Sequence, residues 1–414
     1  MARAHFVWLH RWVGLLMAGF LLLEGITGSL LAYRRSLEEL VAPQLFVAHR
    51  TDSPTLPLST LAERAEVLAP EARVGYYWVD DRQAVMRMLP RIKPSVAKSV
   101  PLAYDHLFLD PWTGEELGRR RDGDLSQGSI NLVPFLYRLH MNLSLGEAGT
   151  LVLGIVALAW TLDCFTGFYL TLPLAVTSFL RRWKPAWSVK YPASGIRVNY
   201  DIHRAGGLWL WPLLFIFGWS SVMFNLPAVY EPVTGRLFDY RSDIDLLKGL
   251  PLHPNSAPRL TWKDAERRGA ELMERIAARD RFRIVRPYGM AYIAEFGVYT
   301  YAVASDANVE AHGWATSLWL DGDTGELVSV DTPRHDRNGN LVGLWLRALH
   351  FADLRDSPLY RLLVCVLGLA VATLSITGAY IWLRKRSAKA FVHGRTTNGD
   401  ALSQDAPAFA DFDH

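Results

Sequence analysis

Residues 10–33 read HRWVGLLMAGFLLLEGITGSLLAY, an apolar run that begins with a histidine and contains one acidic residue. A helix of about 20 apolar residues is long enough to cross the hydrocarbon core of a bilayer. The run exceeds the apolar core of a usual signal peptide, and no clear small-residue cleavage site follows it. We therefore expect residues 1–33 to form a retained membrane span.

Three further stretches share this length and character, at residues 149–180, 205–229 and 359–383. Cytoplasmic loops of membrane proteins are enriched in Lys and Arg. Basic residues cluster near the N-terminus, between the second and third stretches, and after the fourth: Arg3, Arg11, Arg181, Arg182, Lys184, Lys190, Arg197, Arg384, Lys385, Arg386 and Lys389. Arg34 and Arg35 oppose this bias and are outnumbered. The sequence thus predicts four spans, with both termini in the cytoplasm.

Two long segments remain outside the membrane, and each has a helical pattern followed by alternating apolar runs, which is typical of an α+β domain. The predicted fold is a membrane α-helical, four-span bundle with two external, periplasmic α+β domains. The predicted divisions are 1–33 (span one), 34–139 (first periplasmic domain), 140–180 (external histidine segment and span two), 181–202 (cytoplasmic basic loop), 203–229 (span three), 230–349 (second periplasmic domain), 350–384 (external histidine segment and span four) and 385–414 (flexible cytoplasmic tail).

Composition excludes several classes of protein. The net charge is +3, from 44 basic and 41 acidic residues, and no basic stripe favours a nucleic-acid partner. Cys164 and Cys365 are the only cysteines, and no CxxC or CxxCH spacing supports an iron–sulfur cluster or a covalently attached haem. No GxGxxG or P-loop motif indicates a nucleotide site.

The chain repeats itself in two ways. HLFLDPWTGEELG at residues 106–118 resembles SLWLDGDTGELVS at 317–329, and both read as a strand, a tight turn and a second strand. Each span is also preceded by a histidine and contains a pair of small residues. The pairs are Thr27-Gly28, 17 residues after His10; Thr166-Gly167, 26 after His140; Ser220-Ser221, 17 after His203; and Thr377-Gly378, 27 after His350. For the small residues alone, close helix packing is the favoured interpretation.

The predicted topology sorts the four histidines into two pairs. His10 and His203 share the cytoplasmic side, whereas His140 and His350 precede the external ends of their spans. A transmembrane b-type haem needs two imidazoles from facing helices, and ligands separated by the bilayer, about 30 Å, cannot share one iron. The pattern therefore predicts two non-covalent b-type haems, one at each face of the membrane. Whether His140 and His350 lie on the spans or on short external helices stays open.

Other polar residues near the histidines suggest supporting roles. Each histidine has a basic neighbour that could hold a haem propionate, because Arg binds carboxylates bidentately: Arg11, Arg204, Arg138 and Arg347. Membrane anchoring is an equally good interpretation for Arg11 and Arg204. Glu24 and Asp163 are acids inside predicted spans, where a carboxylate is costly and is a functional candidate by default. A neutral carboxyl bonded to a neighbouring helix is the alternative.

The blocks HRWVGLLMAGFLLLEGITGSLLAYR, RLHMNLSLGEAGTLVLG, DIHRAGGLWLWPLLF and LHFADLRDSPLYRLL resemble the PepSY-associated transmembrane proteins of bacteria. DPWTGEELG and DGDTGELVS match the strand–turn pattern of the PepSY domains in that family. The resemblance implies an inner-membrane ferric-siderophore reductase that carries two b-type haems, with His10, His203, His140 and His350 as the ligands. It departs at Trp219-Ser220-Ser221, where other spans have Thr-Gly, and at Glu24, where relatives are usually apolar.

The resemblance implies that electrons pass from a cytoplasmic or quinol donor to Fe(III) held by a periplasmic siderophore, and that Fe(II) is released. External aromatic residues could contact such a chelate: Tyr104, His106, Trp112, Trp314 and Trp319. Two alternatives remain at this stage. The chain could be a haem-free accessory or transport component, or a di-haem electron carrier whose acceptor is not iron.

Overall fold

Four long helices are apolar enough to cross a membrane, as predicted, and the chain is a multi-pass membrane protein. The computed structural model describes residues 2–50, 54–91, 101–242, 247–250, 257–334 and 337–397. The helices are α1 (Ala2–Leu31), α2 (Arg34–Val41), α3 (Leu58–Leu68), α4 (Leu132–Asn142), α5 (Glu147–Thr171), α6 (Phe179–Trp183), α7 (Gly195–Asn225), α8 (Pro227–Leu237), α9 (Trp262–Asp280), α10 (Asn338–His350) and α11 (Pro358–Thr397). The candidate spans are Arg3–Leu31, Glu147–Thr171, Gly195–Asn225 and Pro358–Ser387.

Span boundaries differ from the sequence prediction where local chemistry starts or stops a helix. The second span ends at Thr171 rather than at residue 180, because Pro173 forces the preceding Leu172 into an extended conformation. The third span begins at Gly195, inside the predicted loop 181–202, because the Ser194 side chain caps the helix. The last helix continues to Thr397, and residues 398–414 of the predicted tail lie outside the described residues.

Short helices precede the second and fourth spans and carry the two histidines that the sequence assigns to the external side. His140 lies on α4, and His350 is the last residue of α10. The question that the sequence left open thus has a structural answer, since neither residue lies on a span.

The segments between the first and second spans and between the third and fourth spans share one antiparallel sheet, where the sequence predicts one domain from each segment. The strands are β1 (Ala72–Val79), β2 (Ala84–Pro90), β3 (His106–Leu109), β4 (Glu116–Arg120), β5 (Ile284–Ile293), β6 (Val298–Ser305), β7 (Ser317–Asp321) and β8 (Leu327–Asp331). Their order is β4-β3-β2-β1-β5-β6-β7-β8. Strands β1 and β5 pair through Tyr76 with Ala291, Tyr77 with Met290 and Trp78 with Gly289. This pairing covers two edges that would otherwise expose unpaired backbone groups.

Helices α3 and α9 cover one face of the sheet and build a single hydrophobic core. Tyr77 and Met290, from the two halves of the sheet, belong to one buried cluster with Leu61 of α3 and Met273 of α9. Side chains alternate across a strand, so Tyr76 projects from the opposite face. There it lines a cavity together with Met223 of the third span. The open face of the sheet is therefore turned towards the helical bundle.

The junction between β1 and β5 makes a prediction about stability. A Cβ atom at Gly289 would lie 2.3 Å from the Tyr77 carbonyl oxygen and 3.1 Å from the Trp78 Cα atom. Gly289→Val should therefore force the strands apart and lower the free energy of unfolding by about 1–3 kcal/mol. The thermal midpoint of the detergent-purified protein measures this loss. Gly235→Ala is the control, because a Cβ atom added at Gly235 would meet nothing within 4 Å, and equal midpoints for both variants would contradict the prediction.

Candidate functional site

The first histidine pair joins the first and third spans. His10 of α1 and His203 of α7 face each other with ring centroids 6.2 Å apart and planes inclined at 55°. The structure thus brings together the two histidines that the sequence assigns to the cytoplasmic side. We call this pair the inner pair.

The second pair lies at the other end of the bundle. His140 of α4 and His350 of α10 have ring centroids 6.3 Å apart and the same inclination of 55°. We call this pair the outer pair. Gly28, which adjoins His140, follows His10 by 18 residues on α1, a rise of about 27 Å. The two pairs are therefore separated by most of the thickness of a bilayer.

The spacing within each pair suits one shared metal. Metal–imidazole bonds are roughly 2 Å long, so two rings that ligate one metal from opposite sides have centroids about 6 Å apart. In the described part of the chain, no group of three or more His, Cys, Asp or Glu residues could hold a metal ion. Each pair therefore offers two axial nitrogens and suits a metal whose other ligands come from a macrocycle.

Hydrogen bonds define the tautomer of both outer histidines. Nδ1 of His140 lies 2.8 Å from the Thr27 hydroxyl, which itself donates to the Leu23 carbonyl and so accepts from the imidazole. Nδ1 of His350 lies 2.7 Å from the Ser220 hydroxyl, which donates to the Phe217 carbonyl and so accepts from this imidazole. Both rings thus carry their proton on Nδ1, and Nε2 is left with a lone pair for a metal.

The inner histidines also have hydrogen-bond acceptors at Nδ1. Nδ1 of His203 lies 3.0 Å from the Leu374 carbonyl and 3.1 Å from the Thr377 hydroxyl, and both are acceptors. Nδ1 of His10 lies 2.9 and 3.0 Å from the two carboxylate oxygens of Asp163. All four rings are therefore fixed by a group on another helix, as is usual for metal-ligating histidines.

Glycines of the small-residue pairs make room for three of the rings. A Cβ atom at Gly28 would lie 3.0 Å from Cε1 of His140, and one at Gly378 would lie 3.0 Å from Cε1 of His203. At Gly167 the corresponding distance to His10 is 3.4 Å. The motifs that the sequence assigns mainly to helix packing thus also seat imidazoles. Sequence reasoning missed this role, although the matched spacing to each histidine was a signal for it.

Aromatic rings enclose His350 of the outer pair. Phe217 stacks on His350 with centroids 5.1 Å apart, and Phe224 meets it edge-on at 5.2 Å. Burial, with a smaller contribution from His140, lowers the pKa of His350 to about 3. The imidazole is therefore neutral at physiological pH, which is the form that binds a metal.

The four arginines that the sequence predicts as contacts of haem propionates differ in their hydrogen-bond partners. Arg204 donates to Asp201 at 2.8 Å and to the Pro185 carbonyl at 2.7 Å, and Arg138 donates to the Asp122 carbonyl at 3.2 Å. Arg347 is paired with Glu310. Within the residues that the structure describes, Arg11 has no ion pair. The buried Nε atoms of Arg204 and Arg347 have no acceptor. Arg204 directly follows His203 in the chain, and Arg347 precedes His350 by three residues.

Glu24 and Asp163, the two acids that the sequence analysis places inside spans, both contact a histidine. Asp163 of α5 binds His10, and Glu24 of α1 lies 2.9 Å from Nδ1 of His140. The sequence singled out both acids without assigning a partner to either. Each of them precedes a Thr-Gly pair by three residues, and this shared position was the overlooked signal.

A cavity of about 830 Å³ lies between the open face of the sheet and the bundle. Six aromatic side chains line it: Tyr76, Tyr230, Tyr240, Tyr292, Trp314 and Trp319. Arginines also line it: Arg73, Arg87, Arg241 and Arg347. Arg347 precedes His350 by one helical turn, about 5 Å, so the cavity floor adjoins the outer pair. Of the external aromatic residues proposed from sequence, Trp314 and Trp319 reach this cavity, and Tyr104, His106 and Trp112 do not line it.

A cluster of ionisable groups lies beside this floor. The carboxylate of Glu310 is paired with Arg347, and His312 binds Asp353 at 3.0 Å. Burial raises the pKa of Glu310 to about 7, and the Arg347 guanidinium only partly offsets this effect. Nothing in the sequence around Glu310 signalled this position.

Comparison with known proteins adds two findings. The family model described as the PepSY-associated TM region matches residues 7–385. An uncharacterized protein of Pseudomonas aeruginosa is 24% identical over 275 residues. That match covers 61% of this chain and 63% of the relative, so the chain spans less than two thirds of the relative's length.

The raised pKa of Glu310 predicts a pH-dependent stability. The ordinary pKa of a glutamate is 4.5, so the folded protein holds this proton more tightly than the unfolded chain does. The stabilisation is fully present below about pH 4.5 and is lost as the pH rises through about 7. Glu310→Gln should therefore reduce the fall in thermal midpoint between pH 4.5 and pH 8. Glu326→Gln, at an exposed position, is the control, and an unchanged fall in Glu310→Gln would refute the assignment.

Proposed function

The chain belongs to the PepSY-associated transmembrane family, and from this premise we propose that it is a di-haem oxidoreductase of the bacterial inner membrane. It passes electrons from the cytoplasmic side to a ferric siderophore in the periplasm. The observation that carries the proposal is the meeting of two histidine pairs, each at the spacing of two axial ligands, at opposite ends of one bundle.

The residues around both pairs fit a b-type haem. His10 and His203 would hold the inner group, and His140 and His350 the outer one, through Nε2 in each case. The buried and unpaired Nε atoms of Arg204 and Arg347 are donors suited to a propionate carboxylate. A haem supplies an iron that changes its charge by one electron without leaving the site.

The chain's own residues give the two pairs different surroundings. The basic residues of the segment between the second and third spans lie near the inner pair, which supports a cytoplasmic location for that end. The outer pair adjoins the cavity beneath the sheet, which supports a periplasmic location for the sheet. Both termini then lie in the cytoplasm, as the sequence predicts.

The cavity is the proposed substrate site. Its volume of about 830 Å³ and its aromatic walls suit a bulky chelate, and its arginines suit oxygen-rich, anionic groups. Each Fe(III) takes up one electron and becomes Fe(II), which hydroxamate and catecholate oxygens hold less well, so the metal is released. An equal number of electrons must enter the protein from a donor. We propose a quinol or a reduced cytoplasmic protein as this donor, because no nucleotide-binding motif occurs in the sequence.

We predict that His203→Ala and His140→Ala each lose about one haem of two, because each removes one axial ligand from a different pair. Haem content per chain and the reduced visible spectrum of the detergent-purified protein measure this. His5→Ala is the matched control, since His5 is an exposed histidine on the same helix as His10, and it should keep both haems. A wild-type protein that takes up no haem would leave the accessory or transport role standing instead.

The cavity makes a separate prediction about the acceptor. Tyr76 lines the cavity and is 41% exposed, so Tyr76→Ala removes a contact surface without emptying a buried core. The reduced protein should then be reoxidised by ferric siderophore several-fold more slowly, with an unchanged haem content. Tyr191→Ala, 85% exposed in the loop after the second span, is the control. Wild-type protein that ferric siderophores fail to reoxidise would favour a carrier whose acceptor is not iron.

A further inference from the structure

The four histidines differ in the charge of the group that accepts their Nδ1 proton. His10 and His140 donate to carboxylates, those of Asp163 and Glu24. His203 donates to a backbone carbonyl and a hydroxyl, and His350 donates to a hydroxyl alone. Since His10 pairs with His203 and His140 with His350, each pair contains one carboxylate-bonded ring and one neutrally bonded ring.

This difference arises at one repeated position in the spans. The residue three before each small-residue pair lies one helical turn away, on the same face of the helix. This residue is Glu24 in the first span and Asp163 in the second. In the third and fourth spans it is Phe217 and Leu374, respectively. The N-terminal half therefore supplies both carboxylates. Asp163 of the second span reaches His10 of the first span, and Glu24 of the first span reaches His140 on α4.

The carboxylates have few other partners. Asp163 has a side chain only 10% exposed, and among the described residues its one ion pair is with His10. Glu24 is 18% exposed, its one ion pair there is with His140, and its Oε1 atom is buried without a hydrogen bond. An acid in this setting is costly, so a role in ligand chemistry accounts for it better than a role in packing does.

We propose that Asp163 and Glu24 are positioning residues that lower the reduction potential of the two haems, Asp163 acting on the inner one and Glu24 on the outer one. This inference rests on the proposed function. A carboxylate that accepts the Nδ1 proton makes the imidazole a stronger donor through Nε2, and a stronger donor stabilises the oxidised metal.

The two carboxylates do not act equally. Asp163 places both oxygens within 3.0 Å of Nδ1 of His10. Glu24 shares Nδ1 of His140 with the neutral Thr27 hydroxyl. The carboxylate effect is therefore larger at the inner pair, which becomes the more reducing of the two. This difference favours electron transfer from the cytoplasmic end to the outer end.

Potentiometric titration of the purified holoprotein at constant pH tests the inference. Asp163→Asn should shift the inner midpoint to more positive potential and leave the outer midpoint in place. Glu24→Gln should shift the outer midpoint to more positive potential, by a smaller amount, and leave the inner midpoint in place. The ferric electron paramagnetic resonance spectrum should change for the same haem, because it reports the donor strength of the axial imidazoles. Thr377→Val is the matched control, since it removes a neutral acceptor from His203 and leaves the Leu374 carbonyl.

The outcomes separate this inference from the proposed function. A wild-type protein without haem would contradict the proposed function. If two haems are bound and neither substitution changes their midpoints, only the inference is contradicted. If Asp163→Asn loses the inner haem, Asp163→Glu must restore it at a midpoint close to that of the wild type. A haem-loaded Asp163→Glu protein with a raised inner midpoint would overturn the carboxylate assignment.

Discussion

The hydrogen bond from each imidazole Nδ1 to a neighbouring helix is the interaction on which the rest of the membrane region depends. It fixes the tautomer, leaves Nε2 with a lone pair for a metal, and ties each histidine to a residue of another helix. A glycine at three of these contacts lets the ring approach the backbone, which a larger side chain would prevent. The contacts link α1 with α4 and α5, and α7 with α10 and α11. The contacts that pack these helices together are therefore also the contacts that orient the imidazoles.

The histidine pairs were accessible to sequence reasoning because they follow from topology. Span length and the distribution of basic residues assign each histidine to one side of the membrane, and only one pairing is then possible. The acids were harder to interpret. Glu24 and Asp163 stood out as charges in lipid, but their partners lie 116 and 153 positions away in the chain, and only the folded bundle brings them together.

The sheet shows the opposite limit of sequence reasoning. The sequence pattern of a helix followed by strands occurs twice, and each occurrence by itself predicts a complete small domain. The pairing of Tyr77 with Met290 joins them across more than two hundred residues, and no local pattern encodes such a contact. The cavity was inaccessible for the same reason, because its walls come from both halves of the sheet and from the spans. Trp314 and Trp319 could be proposed as contacts from their type alone, whereas Glu310 and Arg73 could not.

Each histidine pair takes one ring from the N-terminal half of the chain and one from the C-terminal half. A single half thus carries one histidine of each pair and completes neither pair. Two copies of such a half, related by a twofold axis, would complete both sites at once. The smallest unit that contains both complete histidine pairs is therefore a dimer of halves, and this chain holds the two halves in covalent form. Covalent linkage also frees the two halves to differ, and only one of them has an acid beside each ligand.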